Sequence, residues 1–310
     1  MNLLKRLPHS LGLLLMVCAL TYLMILLVPG DPAVTAAGEN ATNEQIAQTR
    51  ERLGLNDHIV VQFGRWLGDA LTGDLGHSLQ GGASVSGLIV DRFPVTLGLA
   101  LVSIIVSLLI AVPAAVVAAT HKGSWIDRVI TLVASAGIAI PTFWLGLMLV
   151  IVFSLYLRVL PSTGYVPFTE SPTQWATFMV MPAITLAAAP AAEIARQLRA
   201  SMIDILDQDY VRTATAKGLN RRSVVLKHTL KNAGVPAMTM VGLQLTFLLG
   251  GSVIVEQIFG IPGVGALAIK AVLQRDIPVI QGAVLVAAVS VLVVNLLIDS
   301  SYRFFNPKVR

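Results

Sequence analysis

Six long apolar runs constrain this chain more than any other feature of its sequence. A helix that crosses a bilayer needs roughly 20 mostly apolar residues. Only 13% of the 310 residues are charged and the mean hydropathy is +0.77, whereas soluble domains carry roughly 25% charged residues. The sequence therefore predicts an all-α polytopic membrane protein with six transmembrane helices. The six runs are 9–28, 95–119, 129–157, 176–195, 234–256 and 280–302.

Two of these runs allow more than one interpretation. Lys5 and Arg6 precede the first run, as in a cleaved signal peptide. No small-residue cleavage site precedes the turn at 29–32, so we expect a retained anchor helix. Pro141 interrupts the third run, where it predicts either a static kink or a hinge.

The distribution of positive charge predicts the orientation. With the amino terminus inside, 15 of the 22 lysine and arginine residues fall on cytoplasmic segments and seven fall outside. This asymmetry and the even number of spans predict that both termini are cytoplasmic. The high pI of 9.6 is explained by these loops. No aromatic-rich basic face accompanies the charge, so we do not expect nucleic-acid binding.

Residues 29–94 are too long and too polar for a simple turn. Thr42 and Gln45 have the spacing of a capping box and predict a short helix that continues to Leu53. A second amphipathic helix is expected over 60–71. We interpret 29–94 as a small extracytoplasmic cap, with a disordered loop as the alternative. The chain then divides into 1–28 (amino terminus and first span), 29–94 (cap) and 95–310 (a five-helix core).

A positively charged block lies between the fourth and fifth runs, and we call residues 209–232 the basic segment. Gly218 is expected to end one helix, and Asn220 or Ser223 to cap the next. Ala214, Ala216 and Gly218 would form a small-residue face that a partner protein could approach closely. The order of these residues favours a cytoplasmic docking surface. The alternative is a loop that fixes topology or binds anionic lipid.

The chain lacks the sequence patterns of an enzyme. It contains no GxxxxGK[ST], HExxH or GxSxG motif, its five histidines do not cluster, and Cys18 is its only cysteine. We therefore expect no catalytic residue, no metal site and no cofactor in this chain. Polar residues inside spans commonly line a path or join helices. Both interpretations apply to the candidate translocation residues, which are Gln244, Thr246, Glu256 and Asn295.

The basic segment resembles the cytoplasmic signature loop of ABC importer permeases. More narrowly, the chain is similar to the dipeptide/oligopeptide permease family, in the subunit with the long first external loop. The resemblance extends over nearly the whole length. Its motifs are Tyr210-Val211-Arg212-Thr213-Ala214, Ala216-Lys217-Gly218-Leu219, His228 to Asn232, Gly73-Asp74-Leu75-Gly76-x-Ser78, Arg92-Phe93-Pro94-x-Thr96-Leu97, Pro141-x-Phe143, Leu160-Pro161-x-x-Gly164, Glu256-x-x-Phe259, Pro262-Gly263-x-Gly265 and Arg275-Asp276-x-Pro278-x-x-Gln281-Gly282.

The resemblance implies a type I ABC importer permease-like fold and a coupling loop over 200–232. The general permease signature is Glu-Ala-Ala, three residues and Gly, but Arg212-Thr213-Ala214 precede Gly218 here. With Glu absent, we expect no glutamate-centred contact, and this departure is itself similar to the peptide branch. The ATPase-coupling residues would be Asp209, Tyr210, Arg212, Thr213, Ala214, Ala216, Lys217, Gly218 and Leu219.

The resemblance also implies the assembly and its cargo. The expected partners are a second permease in a heterodimer, two ABC ATPases that bind ATP and Mg²⁺, an extracytoplasmic substrate-binding protein and membrane lipid. The expected location is the inner membrane of a prokaryote, and the expected cargo is short peptides. A related importer for nickel, glutathione or haem is the alternative. A stand-alone secondary transporter or channel would need a buried charged ion path, but the sequence has few charges inside its predicted spans. An intramembrane enzyme would need paired catalytic groups, and the sequence shows none.

Overall fold

The computed structural model of the chain describes residues 3–24, 31–38 and 41–305, which are largely helical. Four helices in this part are long and apolar enough to cross a membrane, and a bent pair supplies a fifth span if it is counted as one. The first helix, α1 (Leu3–Met24), is apolar over Gly12–Leu23. The predicted span 9–28 continues past it, and its last four residues lie outside the described residues. The four long spans are Val85–Thr120, Pro172–Leu206, Pro236–Phe259 and Ile277–Ile298.

The cap contains short helices, and the sequence predicts the second and third of them. These are α2 (Pro32–Ala37), α3 (Asn43–Arg52) and α4 (Ile59–Leu71). The predicted capping box is confirmed, since the Thr42 hydroxyl accepts from Gln45 N and the Gln45 side chain accepts from Thr42 N. Arg65 on α4 donates to the Asp57 carboxylate, and this hydrogen bond raises the pKa of the exposed Arg65 guanidinium.

The third span is broken rather than kinked. Helix α6 (Trp125–Ala139) ends one residue before Ile140, which is extended, and α7 (Thr142–Leu149) starts after Pro141. A π-helix (Val150–Tyr156) follows α7 directly. The two arms are bent by 101°. Pro141 has no N–H, and a proline disfavours helical geometry in the residue before it, so one helix stops and another begins.

The remaining helices follow in order. Helix α5 (Val85–Thr120) precedes α6, and α8 (Pro172–Leu206) follows the irregular loop after the first π-helix. The basic segment contains α9 (Asp209–Ala216), α10 (Arg221–Ser223) and a second π-helix (Val224–Leu230). The chain then continues through the helices α11 (Lys231–Phe259), α12 (Val264–Gln274) and α13 (Ile277–Phe305).

The chain divides into two compact units. One unit comprises Met1–Thr96 and Pro262–Leu292, and the other comprises Leu97–Ile261 and Val293–Arg310. In the first unit, residues of 262–292 pack on the cap and on the start of α5 through an apolar cluster, whose members come from opposite ends of the sequence. The cluster contains Leu75, Val85, Ile89, Leu267, Ala271 and Val279.

We call the first unit, which contains the cap, the cap unit. In it, motifs that are distant in sequence form hydrogen bonds to one another. The Ser78 hydroxyl and the Leu79 N–H both donate to the carboxylate of Asp276, which is only 3% exposed. The Thr96 hydroxyl accepts from Val264 N at 2.9 Å, at the start of α12. The motifs around Ser78 and Asp276 therefore form one structural feature.

We expect Asp276→Ala to loosen the loop around Ser78. Hydrogen bonds to a charged group contribute about 1.5–3 kcal/mol each, and Asp276 accepts two. Hydrogen exchange of the Leu79 amide, measured by mass spectrometry, should accelerate by about tenfold or more. The control is Ser78→Ala, which leaves the Leu79 bond in place and should have a smaller effect. Equal protection of Leu79 in Asp276→Ala and the unmodified protein would contradict the prediction.

In the second unit, α8 packs against α6, α7 and α11. Small residues permit the close approach. A Cβ at Gly137 would lie 3.4 Å from Ala192 Cβ, and one at Gly146 would lie 3.3 Å from Thr185 Cγ2. The buried Ser107 hydroxyl donates to Ala187 O at 3.1 Å, which joins α5 to α8. These contacts fix α8, the helix that leads into the basic segment.

Candidate functional site

Helix α9 is a short helix with defined ends. Its first turn carries Asp209, which suits the positive end of a helix dipole. After Lys217 the chain turns at Gly218, whose φ is +81°. Asn220 then caps α10 by accepting from Ser223 N at 2.7 Å. The helix stop predicted at Gly218 is confirmed, and of the two caps predicted for the next helix, Asn220 rather than Ser223 is the one observed.

One face of α9 packs on the chain itself. Val211 and Ala214 are buried with Val224, and Ile205 and Leu206 pack against them. Ala214 therefore points inward. Of the three small residues predicted to form one face, Ala216 and Gly218 are exposed and Ala214 is not. The other expected coupling residues are exposed: Asp209, Tyr210, Arg212, Thr213, Lys217 and Leu219.

The second π-helix packs against α9. The Tyr210 hydroxyl accepts from the Asn232 amide at 3.0 Å, and that amide also donates to His228 O at 2.8 Å. The fully buried Thr229 donates to Val224 O at 3.1 Å, five residues earlier in the π-helix. Two motifs of the basic segment, at Tyr210 and at 228–232, are thus joined by hydrogen bonds. These bonds and the apolar contacts of Val211 and Ala214 hold α9 against the chain, and its other face is exposed to solvent.

An open groove of about 750 Å³ runs between α9 and the end of α5. Its lining is mostly apolar and includes Ala119, Leu206 and Val211, with Arg212 and Arg221 also on the wall. The two arginines place positive charge on the wall. Arg212 is only weakly paired, because its ion pair with Asp209, at 3.6 Å, is well exposed. The arrangement can bind a protein surface by shape and by positive charge.

Three of the four candidate translocation residues lie on α11 in the second unit. Gln244 is buried and donates to the carboxylate of Glu193 on α8. Glu256 is fully buried and accepts from the Ser252 hydroxyl at 3.0 Å. The Thr246 hydroxyl donates to Gly242 O of its own helix at 3.2 Å. Asn295 lies on α13, and its side chain is exposed.

Sequence reasoning did not single out a partly buried ion pair near the basic segment, between Arg199 and Asp127. Arg199 on α8 donates to both carboxylate oxygens of Asp127, at 2.5 and 2.6 Å. A signal was present, because Ser124 and Asp127 have the spacing of a helix cap, and Ser124 Oγ accepts from Asp127 N at 3.3 Å. In the described part of the chain, no group of three His, Cys, Asp or Glu side chains could hold a metal ion.

The fold is shared with solved importers. An inward-facing methionine ABC transporter has a chain that superposes with a TM-score of 0.59 at 17% identity, over 71% of this chain and 96% of that one. A chain of an amino acid ABC transporter gives a TM-score of 0.53 at 19% identity, over 70% and 94%. The fold is therefore that of a type I ABC importer permease.

The sequence has relatives over its full length. A protein of Brucella abortus (strain 2308) named as a peptide transport system permease is 40% identical over 99% of this chain and 98% of its own. The glutathione transport system permease of Escherichia coli O6:H1 is also 40% identical, over 99% and 97%. A family of amino-terminal membrane components of binding-protein-dependent transport systems matches residues 1–100. Residues 111–310 match the main family, and the chain thus belongs to the inner membrane components of binding-protein-dependent transport systems.

Proposed function

We propose that this chain is one of two permease subunits of an ATP-driven importer for short peptides. The observation that carries the proposal is the exposed face of α9, held against Val224 and the second π-helix, in a chain 40% identical to peptide permeases along its whole length. An ABC ATPase would dock on this face. ATP and Mg²⁺ would bind to the ATPases, since no nucleotide-binding motif is present in this sequence.

The assembly would contain a second, distinct permease, two ATPases and an extracytoplasmic substrate-binding protein. It would lie in the inner membrane of a prokaryote with both termini in the cytoplasm, as the charge asymmetry favours. Closure of the ATPases would shift an equilibrium between outward- and inward-facing states. The cargo would pass Gln244, Thr246, Glu256 and Asn295, of which Gln244 and Glu256 are buried polar groups within a span.

Glutathione is the second candidate cargo, because relatives named as glutathione permeases are as similar as those named for peptides. Both cargoes carry a peptide backbone and free charged ends, so one pathway could accept either.

Gentle purification from native membranes, followed by uptake in proteoliposomes, tests the proposal. We expect ATPase, second permease and binding protein to co-purify with the chain, and ATP-dependent uptake of a labelled dipeptide. Unlabelled peptides should compete for uptake more strongly than glutathione does; the reverse order would favour the second candidate. A chain that purifies without an ATPase under several mild conditions would contradict the importer function.

A further inference from the structure

The segment 120–127, which joins α5 to α6 and includes the first residues of α6, is bound closely to α8. We call it the α5–α6 turn. Asp127 at its end is 4% exposed and accepts three hydrogen bonds, two from Arg199 and one from Gly123 N at 2.9 Å. A bidentate bond between guanidinium and carboxylate fixes both distance and orientation. The start of α6 is therefore attached to α8 in one geometry.

The same turn also contacts the chain on both sides of α9. Arg221 Nη2, at the start of α10, donates to Thr120 O at 3.0 Å. Lys122 Nζ lies 3.2 Å from Asp207 Oδ2, between α8 and α9. The second contact is well exposed, and exposed ion pairs hold weakly. The Asp127–Arg199 pair, in which the carboxylate is buried and the bond is bidentate, is the most rigid of the three attachments.

These contacts determine which helices would move when α9 moves. By chain connectivity, a displacement of the basic segment would pass to α8 and α11 only. Helix α6 is not adjacent to α9 in sequence, but Asp127 attaches its first turn to α8. Because α6 ends at the break before Pro141, it can move with α8 as a separate 15-residue rod.

We propose that Asp127 and Arg199 are positioning residues that transmit movement of the basic segment to α6. The inference rests on the proposed function. The pair acts through α8 and touches neither cargo nor nucleotide. Its loss would leave the ATPases able to dock and hydrolyse ATP, while the first turn of α6 would no longer be held to α8 in one orientation. The expected defect is in coupling: fewer peptides are moved for each ATP consumed.

The test is a double-mutant cycle in the complete complex, reconstituted with its binding protein. Asp127→Asn and Arg199→Gln each keep the approximate size of the side chain but remove the charge pair. We expect each variant to lower the ratio of peptide transported to ATP hydrolysed by about tenfold, and the double variant to be no worse than either. Recovery of the ATPases and the unfolding temperature of the complex are measured on the same samples.

A matched control exists in the cap. Asp57→Asn removes an exposed aspartate–arginine pair with Arg65, and we expect the ratio to stay within twofold. A normal ratio in Asp127→Asn, or a double variant whose defect is the product of the two single defects, would overturn the inference. A ratio that falls only as ATPase recovery falls would show a purely structural role and overturn it as well.

A more conservative variant tests the inference if Asp127→Asn or Arg199→Gln prevents assembly of the complex. Arg199→Lys keeps the charge but cannot make the bidentate bond, and a normal ratio in it would overturn the inference. Failure of the proposed function is distinguishable, because the unmodified complex would then show no ATP-dependent peptide uptake.

Discussion

Replacement of Gly218 by tryptophan is expected to reduce peptide uptake to background while the chain still folds. The φ of +81° at Gly218 costs a residue with a side chain about 1–2 kcal/mol. A Cβ there would meet nothing within 4 Å, so the indole would project from the turn after α9 without disturbing the interior. It would block the surface on which we place the ATPase. Uptake in proteoliposomes and the amount of ATPase recovered with the chain measure the effect.

The control for this prediction is Gly218→Asn. Asparagine tolerates the left-handed conformation better than other residues with a side chain, and it adds little bulk. We expect it to keep most of the uptake. Normal uptake in a stably expressed Gly218→Trp variant would show that this turn does not face a partner.

Replacement of Gly282 by leucine is expected to destabilise the cap unit. A Cβ at Gly282 on α13 would lie 2.6 Å from Val85 Cγ1 and 3.0 Å from Ile89 Cδ1, and both neighbours are buried. Valine is short and stiff, so it cannot turn away freely. Overpacking of this kind typically costs about 1–3 kcal/mol. The unfolding temperature of the purified chain in detergent should fall by several degrees.

Gly250 provides the comparison for this experiment. It also lies inside a long helix, but a Cβ there would meet nothing within 4 Å. Leucine favours a helix over glycine by up to about 1 kcal/mol, so Gly250→Leu should leave the unfolding temperature unchanged or raise it. Equal unfolding temperatures for the two variants would contradict the packing at Gly282.

The features predicted correctly from sequence are those whose signal is local. The capping box at Thr42, the helix stop at Gly218 and the cap at Asn220 each depend on side chains within a few residues of one another. The predicted apolar runs of the long spans lie within helices for the same reason, because a span needs a continuous apolar stretch. The helices extend beyond the runs, as α5 begins at Val85 and α8 ends at Leu206. The sequence placed the break at Pro141 correctly, but its size, 101°, depends on the neighbouring helices.

The features that sequence reasoning missed depend on pairs that are far apart in the chain. Ser78 meets Asp276, and Glu193 meets Gln244, at separations of 198 and 51 residues. The sequence singled out Gln244 as a polar residue inside a span, but nothing local to any of the four residues indicates its partner. The inward direction of Ala214 was also missed, because a helix of eight residues has too few turns to show which face is buried.

The second π-helix has a consequence for how this family can vary in length. A π-turn accommodates one residue more than an α-turn, because its hydrogen bonds join residues five apart rather than four. In an unbroken α-helix each extra residue rotates everything beyond it by about 100°. The π-helix at Val224–Leu230 absorbs such a residue locally. Relatives could therefore gain or lose a residue here, while Arg221 and α11 keep their relative angular orientation.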